Sequence, residues 1–337
     1  MVSVRSVTVD APGGVLAITE GPRPEPGYGQ VRLAVEASGI CHSDVALVGG
    51  HLPGLAFPLT PGHEIAGRID AVGEGVQGWA AGDRVAVGWY GGHCTSCDAC
   101  RRGDFVHCAN GQITGVSYPG GYSDSVIVPA TALARIPEGM SAEQAAPMAC
   151  AGVTTYGALR SSKARPGDRV AVLGLGGLGH LGVQFAAKMG FDTVVIARGQ
   201  EKAELAVALG ARHYIDATAG DVAGHLRALG GARVVLATAS SAPAMTETLE
   251  GLTPNGELIV LGFSPEPLNI PAFPLIVQAR TVRGYPAGPA ADIEDTMAFA
   301  HLTGVRAMTE TLPLTEAAKG YERMMANEAR FRVVLTM

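Results

Sequence analysis

The chain has 337 residues, 31 acidic side chains against 25 Lys and Arg, and a formal net charge of −6. That length exceeds one ordinary core and suits two domains that fold without disulfide staples. The acidic balance, with no run of Lys or Arg, excludes nucleic acid or an anionic membrane as the main partner and points to a small molecule.

The opening stretch MVSVRSVTVDAP lacks the charged leader and apolar block of a secretory signal. Later apolar segments are broken by Gly, Pro or charge before they could cross a bilayer, so a cytoplasmic protein with no membrane partner is expected. Residues 1–151 hold short β-rich runs such as QVRLAVEASGI and GDRVAVGW among many Gly and Pro. They predict an irregular, mainly antiparallel β domain without a strongly periodic helix. From 152 to 284 strand runs alternate with helical stretches: RVAVLG, TVVIA, HYID, RVVLAT, ELIVLG and TVRG. Six strands in that texture predict an α/β fold with a doubly wound parallel Rossmann sheet. Residues 285–337 return to mixed character, with a helix around DIEDTMAFAHLTG and a closing strand at FRVVLTM, and are expected to fold back onto the first domain. A cleft between the two domains would then take the substrate.

Between the strand RVAVL and an apolar helix lies GLGGLG, with Gly174, Gly176 and Gly179 at the dinucleotide-fingerprint spacing and Gly177 and Leu178 among them. The first glycine permits the tight turn, the second admits a pyrophosphate, and the third lets helix and sheet pack closely. The helix N-terminus offers free N–H groups and the positive end of its dipole to the phosphates. At the end of the second strand, where an acidic residue would bind the adenosine ribose of NAD, VVIARGQEK puts Ala197 and Arg198 instead. Arg198, backed by Lys202, can hold a 2′-phosphate in a bidentate fork, which favours NADP(H) over NAD(H). With Arg198 a solvated loop charge and Glu201 nearer the ribose, NAD stays open.

Cys94, Cys97, Cys100 and Cys108 follow C-x2-C-x2-C-x7-C. In a reducing compartment four such thiolates wrap one tetrahedral Zn2+ from a single loop and leave no open position, which makes the site structural. An iron–sulfur cluster would use the same ligands, but nothing else in the chain gives it an electron-transfer role. His93 and His107, beside the lobe ligands, are then ordinary loop residues. Cys41, His63 and Cys150 remain. Two cysteines and one histidine are a known catalytic zinc set with a vacant fourth position; equally, the two thiols fit buried small hydrophobes and His63 a satisfied core histidine.

At GICHSD (39–44), GHEIAGRIDAVGEGV (62–76), the four-cysteine lobe, ACAGVTTY (149–156) and GLGGLG (174–179), the chain resembles the zinc-dependent medium-chain alcohol dehydrogenases, and among them the cinnamyl-alcohol-dehydrogenase-like branch. Order and spacing follow the family over essentially the whole length. The resemblance implies a GroES-like β catalytic domain and two Zn2+ per chain, with Cys41, His63 and Cys150 as catalytic ligands. It gives Ser43 the role of taking the alcohol proton, His42 contact with the cofactor pyrophosphate, and Asp44 the orienting of His63. Glu64 would stand behind the metal and exchange with its ligands, and Thr154 joins the cofactor-binding residues. Where many relatives carry a relay histidine this chain has Ala46, and His51 is out of register with it.

The activity so implied is hydride transfer between a primary alcohol, whether aromatic, allylic or medium aliphatic, and NADP(H) or NAD(H), in a homodimer or homotetramer. Trp89, Tyr90 and Phe263 are candidates for pocket walls, Phe263 beside the cofactor, or for core aromatics. The rival activity is reduction of the C=C bond of an enal on the same fold, and Ser43 and Glu64 speak against it. A further rival is a nucleotide-binding protein without catalysis.

Overall fold

The computed structural model describes residues 3–337. By its internal contacts the chain divides into two compact units. One runs through Val153 and takes in Ala287–His301 and Ala307–Met337; the other comprises Thr154–Pro286 and Leu302–Arg306. Among the described residues no helix is long and apolar enough to cross a membrane.

In the first unit the sheet is organised around Gln30–Ile40, an eleven-residue strand that pairs antiparallel with Ile65–Val72, Ser125–Pro129 and Arg332–Thr336. The sheet continues through Arg84–Val87 to Ala134–Arg135 on one side, and Arg332–Thr336 pairs parallel with Thr309–Pro313 on the other. Alternating apolar residues along these strands bury a core of Val31, Leu33, Ile65, Ile69, Val85 and Val126. A second core joins Val7, Ile40 and Tyr122 to Leu314, Val333 and Leu335 near the end of the chain. The helices before residue 150 are short: Asp44–Val48, Asp98–Arg101 and Ala142–Pro147.

The other unit carries a six-stranded, wholly parallel sheet in the order His213–Asp216, Asp192–Ala197, Arg169–Leu173, Ala232–Ala237, Leu252–Val260, Thr281–Gly284. Numbered by sequence this is 3-2-1-4-5-6, so the direction of winding reverses between the first and fourth strands, beside the Gly-rich turn. The four inner strands carry near-continuous buried apolar runs, as burial on both faces requires, whereas the edge strands HYID and TVRG are mostly half-buried. The fifth strand begins at Leu252, earlier than ELIVLG implies, and a register irregularity in its pairing accommodates the extra residues.

The expected helix over DIEDTMAFAHLTG spans Ala290–Thr303, and the closing strand lies at Arg332–Thr336. The sequence reading missed the strand Thr309–Pro313 and the helix Ala317–Met325.

Candidate active site

Cys41 follows the central strand Gln30–Ile40, and the helix Asp44–Val48 begins three residues later. His63 and Glu64 precede the strand Ile65–Val72. Cys150 stands in a single π-helical turn, Met148–Gly152, inserted between Ala142–Pro147 and Val153–Arg160. Such a turn re-aims one side chain out of the regular helical ladder. The structure brings one donor atom from each of Cys41, His63, Glu64 and Cys150 within 4.8 Å of one another. The two Sγ atoms lie 4.0 Å apart, and tetrahedral zinc with bonds of about 2.3 Å sets its sulfur ligands roughly 3.8 Å apart.

Asp44, fully buried in the first turn of its helix, fixes this arrangement. One carboxylate oxygen accepts from the Cys41 backbone N–H at 2.9 Å and the Tyr122 hydroxyl at 2.8 Å. The other lies 3.0 Å from His63 Nδ1. A carboxylate only accepts, so Nδ1 carries a proton, and Nε2 is the nitrogen that could give its lone pair to a cation. Nε2 of His63 and Oε2 of Glu64 are buried with no hydrogen-bond partner. Polar atoms so left are costly unless something else satisfies them, and a cation does. Gly62, at φ +102°, lets the chain turn into His63; a Cβ there would sit 2.4 Å from the Tyr122 ring.

The electrostatics agree with a cation site. The Cys150 thiol at its side holds Cys41 well below the ordinary thiol range, against burial, while Cys41 and burial push Cys150 well above it. Burial opposes a charged His63, yet Asp44 and Cys41 keep its pKa well above the ordinary value. The cluster thus draws protons to positions where a divalent cation would neutralise the same thiolates, and binding such a cation releases them. Burial raises the Glu64 carboxyl to about 7 against the pull of Arg332. Arg332, itself buried, forms an ion pair with Glu64 across 268 positions of sequence.

Ser43 and His42 are exposed. The Ser43 hydroxyl is 3.8 Å from Cys41 Sγ, and His42 Nδ1 is 3.2 Å from Met324 Sδ. Trp89 is half-buried and meets the His63 ring edge-on, centroids 4.9 Å apart. Tyr90 is also half-buried and opens the strand Tyr90–Gly92. His51 is exposed at the end of the Asp44 helix, its backbone N–H bonded to the Ala46 carbonyl.

The ligand atoms of Cys94, Cys97, Cys100 and Cys108 also lie within 4.8 Å of one another. Sγ separations are 3.5 Å for Cys94–Cys108 and 3.9 Å for Cys97–Cys108. Backbone N–H groups of Cys94 and Cys97 point at lobe sulfurs, and hydrogen bonds led by that of Ser96 bring the Cys94 thiol down to about 5. His93 stacks on Phe105 and His107 pairs with Asp104, so neither turns to the thiols.

In the other unit GLGGLG joins the strand Arg169–Leu173 to the helix Gly179–Lys188. Gly174 has φ +100°, a Cβ at Gly179 would lie 2.0 Å from the Gly174 carbonyl oxygen, and a Cβ at Gly176 would meet nothing within 4 Å. Two glycines are thus demanded by the turn itself, and the third leaves the open approach that a pyrophosphate needs. Thr238, which sequence reading passed over, backs the turn with a hydroxyl bonded to the Leu173 carbonyl at 2.8 Å. Arg198 is exposed immediately after the second strand, and Lys202 is half-buried. Asp216, another residue not foreseen, accepts the Gly199 N–H at 2.9 Å and steadies this loop. Thr154 is buried, whereas Phe263 is 80% exposed.

Arg332 and Tyr122 are the other functional side chains that sequence reading missed. The only signal for Arg332 was a lone cation opening an apolar strand, since arginine is rarely fully buried unless paired.

Comparison with known proteins shows the family of the chain. The alcohol dehydrogenase GroES-like domain family matches residues 27–138 and the zinc-binding dehydrogenase family residues 177–301. An alcohol dehydrogenase of Aspergillus sp. (strain MF297-2) is 39% identical, over 96% of this chain and 95% of its own. The NADP-dependent alcohol dehydrogenase C of Mycobacterium bovis is 35% identical, over 93% and 92%. The crystallised cinnamyl alcohol dehydrogenase of Sorghum bicolor superposes with a TM-score of 0.90 at 30% identity, over 99% of this chain and 98% of that one. The chain therefore belongs to the zinc-dependent medium-chain alcohol dehydrogenases, in their cinnamyl-alcohol-dehydrogenase-like branch, and is an NAD(P)-dependent alcohol oxidoreductase.

Proposed function

We propose that the chain interconverts primary alcohols and aldehydes with NADP(H) in preference to NAD(H), using one catalytic and one structural Zn2+. The observation that carries this reading is the meeting of Cys41, His63, Glu64 and Cys150 donor atoms within 4.8 Å around an unpartnered His63 nitrogen. Cys41, His63 and Cys150 would hold the catalytic ion, and the lobe cysteines the structural one. When bound, the catalytic zinc supplies Lewis acidity to the oxygen that loses or gains its proton.

The side chains do the rest. Asp44 keeps His63 in the tautomer that offers Nε2. Ser43, exposed beside Cys41, takes the alcohol proton and returns it in the reverse direction. Ala46 can neither accept nor donate a proton, so Ser43 is the last side chain of the relay, and a bound cofactor would supply the hydroxyl beyond it. Arg332 pairs with Glu64 behind the ligands and offsets part of the burial that raises its carboxyl to about 7, so Glu64 stands near its ionised form and could exchange with one of them. Trp89, held against His63 by a T-shaped ring contact, forms with Tyr90 a wall for flat aromatic or allylic substrates.

Within the Rossmann unit, Gly174, Gly176, Gly177, Leu178 and Gly179 would receive the pyrophosphate, helped by Thr154, with Phe263 beside the cofactor. Arg198 and Lys202 would receive the 2′-phosphate, and the NADP dependence in the name of the M. bovis relative supports that choice. Residues 1–151 and 285–337 would serve catalysis and 152–284 the cofactor; the compact units break within two residues of these bounds, except that Leu302–Arg306 groups with the second. The active form is a homodimer or homotetramer in the cytoplasm. Phe273, Ile276 and Val277 are exposed on the helix Ala272–Gln278, beside the edge strand Thr281–Gly284, and an apolar helix next to an unpaired edge suits a second copy.

A steady-state comparison of both cofactors over a panel of alcohols, aldehydes and enals, with zinc per chain measured on the same preparation, tests the whole reading. Carbonyl turnover with NADPH and two zinc ions per chain are expected; consumption of the enal double bond with the carbonyl left intact would refute it.

A further inference from the structure

We propose that His180 is a positioning residue for the cofactor: its imidazole locks the Gly176–Gly177 peptide so that the Gly177 N–H faces the pyrophosphate. This rests on the reading of GLGGLG as the dinucleotide turn. The Gly176 carbonyl accepts two hydrogen bonds, one from the His180 backbone N–H and one from its Nδ1, each at 3.0 Å. Because a carbonyl only accepts, Nδ1 carries the proton. In a trans peptide the C=O and the following N–H point in opposite directions. A Gly176 oxygen drawn toward the helix Gly179–Lys188 therefore turns the Gly177 N–H out of the helix N-terminus, where an anion is received.

Among the described residues only the His180 backbone N–H, a bond that any residue at 180 would keep, shares that carbonyl with the imidazole. The peptide joins two glycines, for which φ and ψ are almost unrestricted. A Cβ at Gly176 would meet no atom within 4 Å, so packing does not confine it either. Flipped, the peptide would aim carbonyl lone pairs at the phosphates. His180 is fully buried at the second position of the helix, so its side-chain hydrogen bond does not compete with bulk water.

The test is equilibrium binding of the reduced dinucleotide to the zinc-loaded enzyme without alcohol, followed by titration calorimetry. His180→Leu should raise Kd about fivefold or more, the weight of one buried hydrogen bond, while kcat at saturating cofactor stays within about twofold, since uniform binding is what is lost. His180→Asn, whose amide can occupy the place of Nδ1, should recover most of the affinity. Adenosine, which has no pyrophosphate, should bind all three forms equally. An unchanged dinucleotide Kd in His180→Leu overturns the proposal, and so does an equal loss of adenosine and dinucleotide binding, the mark of a general packing defect. If the Leu variant does not fold, His180→Phe keeps an aromatic ring without the donor and gives the same comparison. Gly176→Asp separates the two readings, because it puts a carboxylate at the turn. If Gly176→Asp leaves the dinucleotide Kd unchanged, the turn is not the dinucleotide site and the proposal falls with it. If it weakens binding and His180→Leu does not, the role of His180 alone falls.

Discussion

Replacing Asp44 by Asn changes no shape and inverts one hydrogen bond. The carboxylate now serves three donors: the Cys41 N–H, the Tyr122 hydroxyl and His63 Nδ1. An amide has a single oxygen, and two of those donors already converge on one carboxylate oxygen, so the amide oxygen goes to them and the NH2 faces His63. His63 can then only accept at Nδ1, and its proton moves to Nε2, the atom that would bind the metal. Loss of an outer partner of this kind costs about 10- to 100-fold in metal affinity. The weakened hydrogen bonds to a formerly charged group cost about 1.5–3 kcal/mol of stability. For a unit of this size each kcal/mol lowers Tm by about 2–4 °C. Zinc per chain, measured after graded exposure to a chelator, should fall toward one in Asp44→Asn while the wild type still holds two. Turnover should fall in step with the lost zinc. A variant that kept both zinc ions and full kcat would refute the tautomer argument and, with it, the placing of His63 on the metal.

Cys150→Ser should lose the catalytic zinc and activity with the fold largely retained; circular dichroism and elemental analysis on one sample check both halves, and retained turnover removes the ligand assignment. Arg198→Asp should shift the ratio of kcat/KM for NADP over NAD by about 10- to 100-fold toward NAD, the weight of one charge-assisted contact, and an unchanged ratio means that Arg198 does not read the 2′-phosphate. Ile276→Lys should move the protein to a smaller species in light scattering, because a charge on the apolar helix face opposes self-association; an unchanged mass would put the interface elsewhere. Asp124, whose pKa lies below the ordinary value because the Arg5 hydrogen bonds outweigh burial, stabilises the fold above the carboxylate's unfolded pKa and ceases to as pH falls through its folded one. Asp124→Asn should therefore lower Tm at neutral pH, with the gap to wild type closing below about pH 4, and a gap independent of pH would point to packing instead.

What could be read from sequence was what the chain encodes locally. The four lobe cysteines lie within fifteen residues, and GLGGLG carries its strand and helix with it, so both motifs hold their own context. The four inner parallel strands were visible because burial on two faces makes each an apolar run, and the edge strands HYID and TVRG were legible from the regular alternation of strand and helix around them. The strand Thr309–Pro313 was not, since TETLP, at the edge of its sheet, opens with three polar residues and ends in proline. The helix Ala317–Met325 was hidden by Gly320, a poor helix former; a Cβ there would come 2.7 Å from Ile40 Cδ1, so close packing on the sheet is what requires it. Tyr122 and Arg332 were illegible for a different reason. Their partners, Asp44 and Glu64, are 78 and 268 positions away, and no periodicity reports contacts at that range.

The two clusters of metal donors differ most in the length of chain each must close. Cys94 and Cys108 are 14 residues apart, whereas Cys41 and Cys150 are separated by 109. Loop-closure entropy alone makes the longer ring harder to form by about 2 kcal/mol, and the Arg332 pairing adds a still longer one. During synthesis the lobe can capture its ion while much of the Rossmann unit is still being made, and the second centre has to wait for distant strands to pair. On the proposed two-zinc reading, scarce metal would fill the lobe before the second centre and leave Cys41, His63 and Cys150 bare.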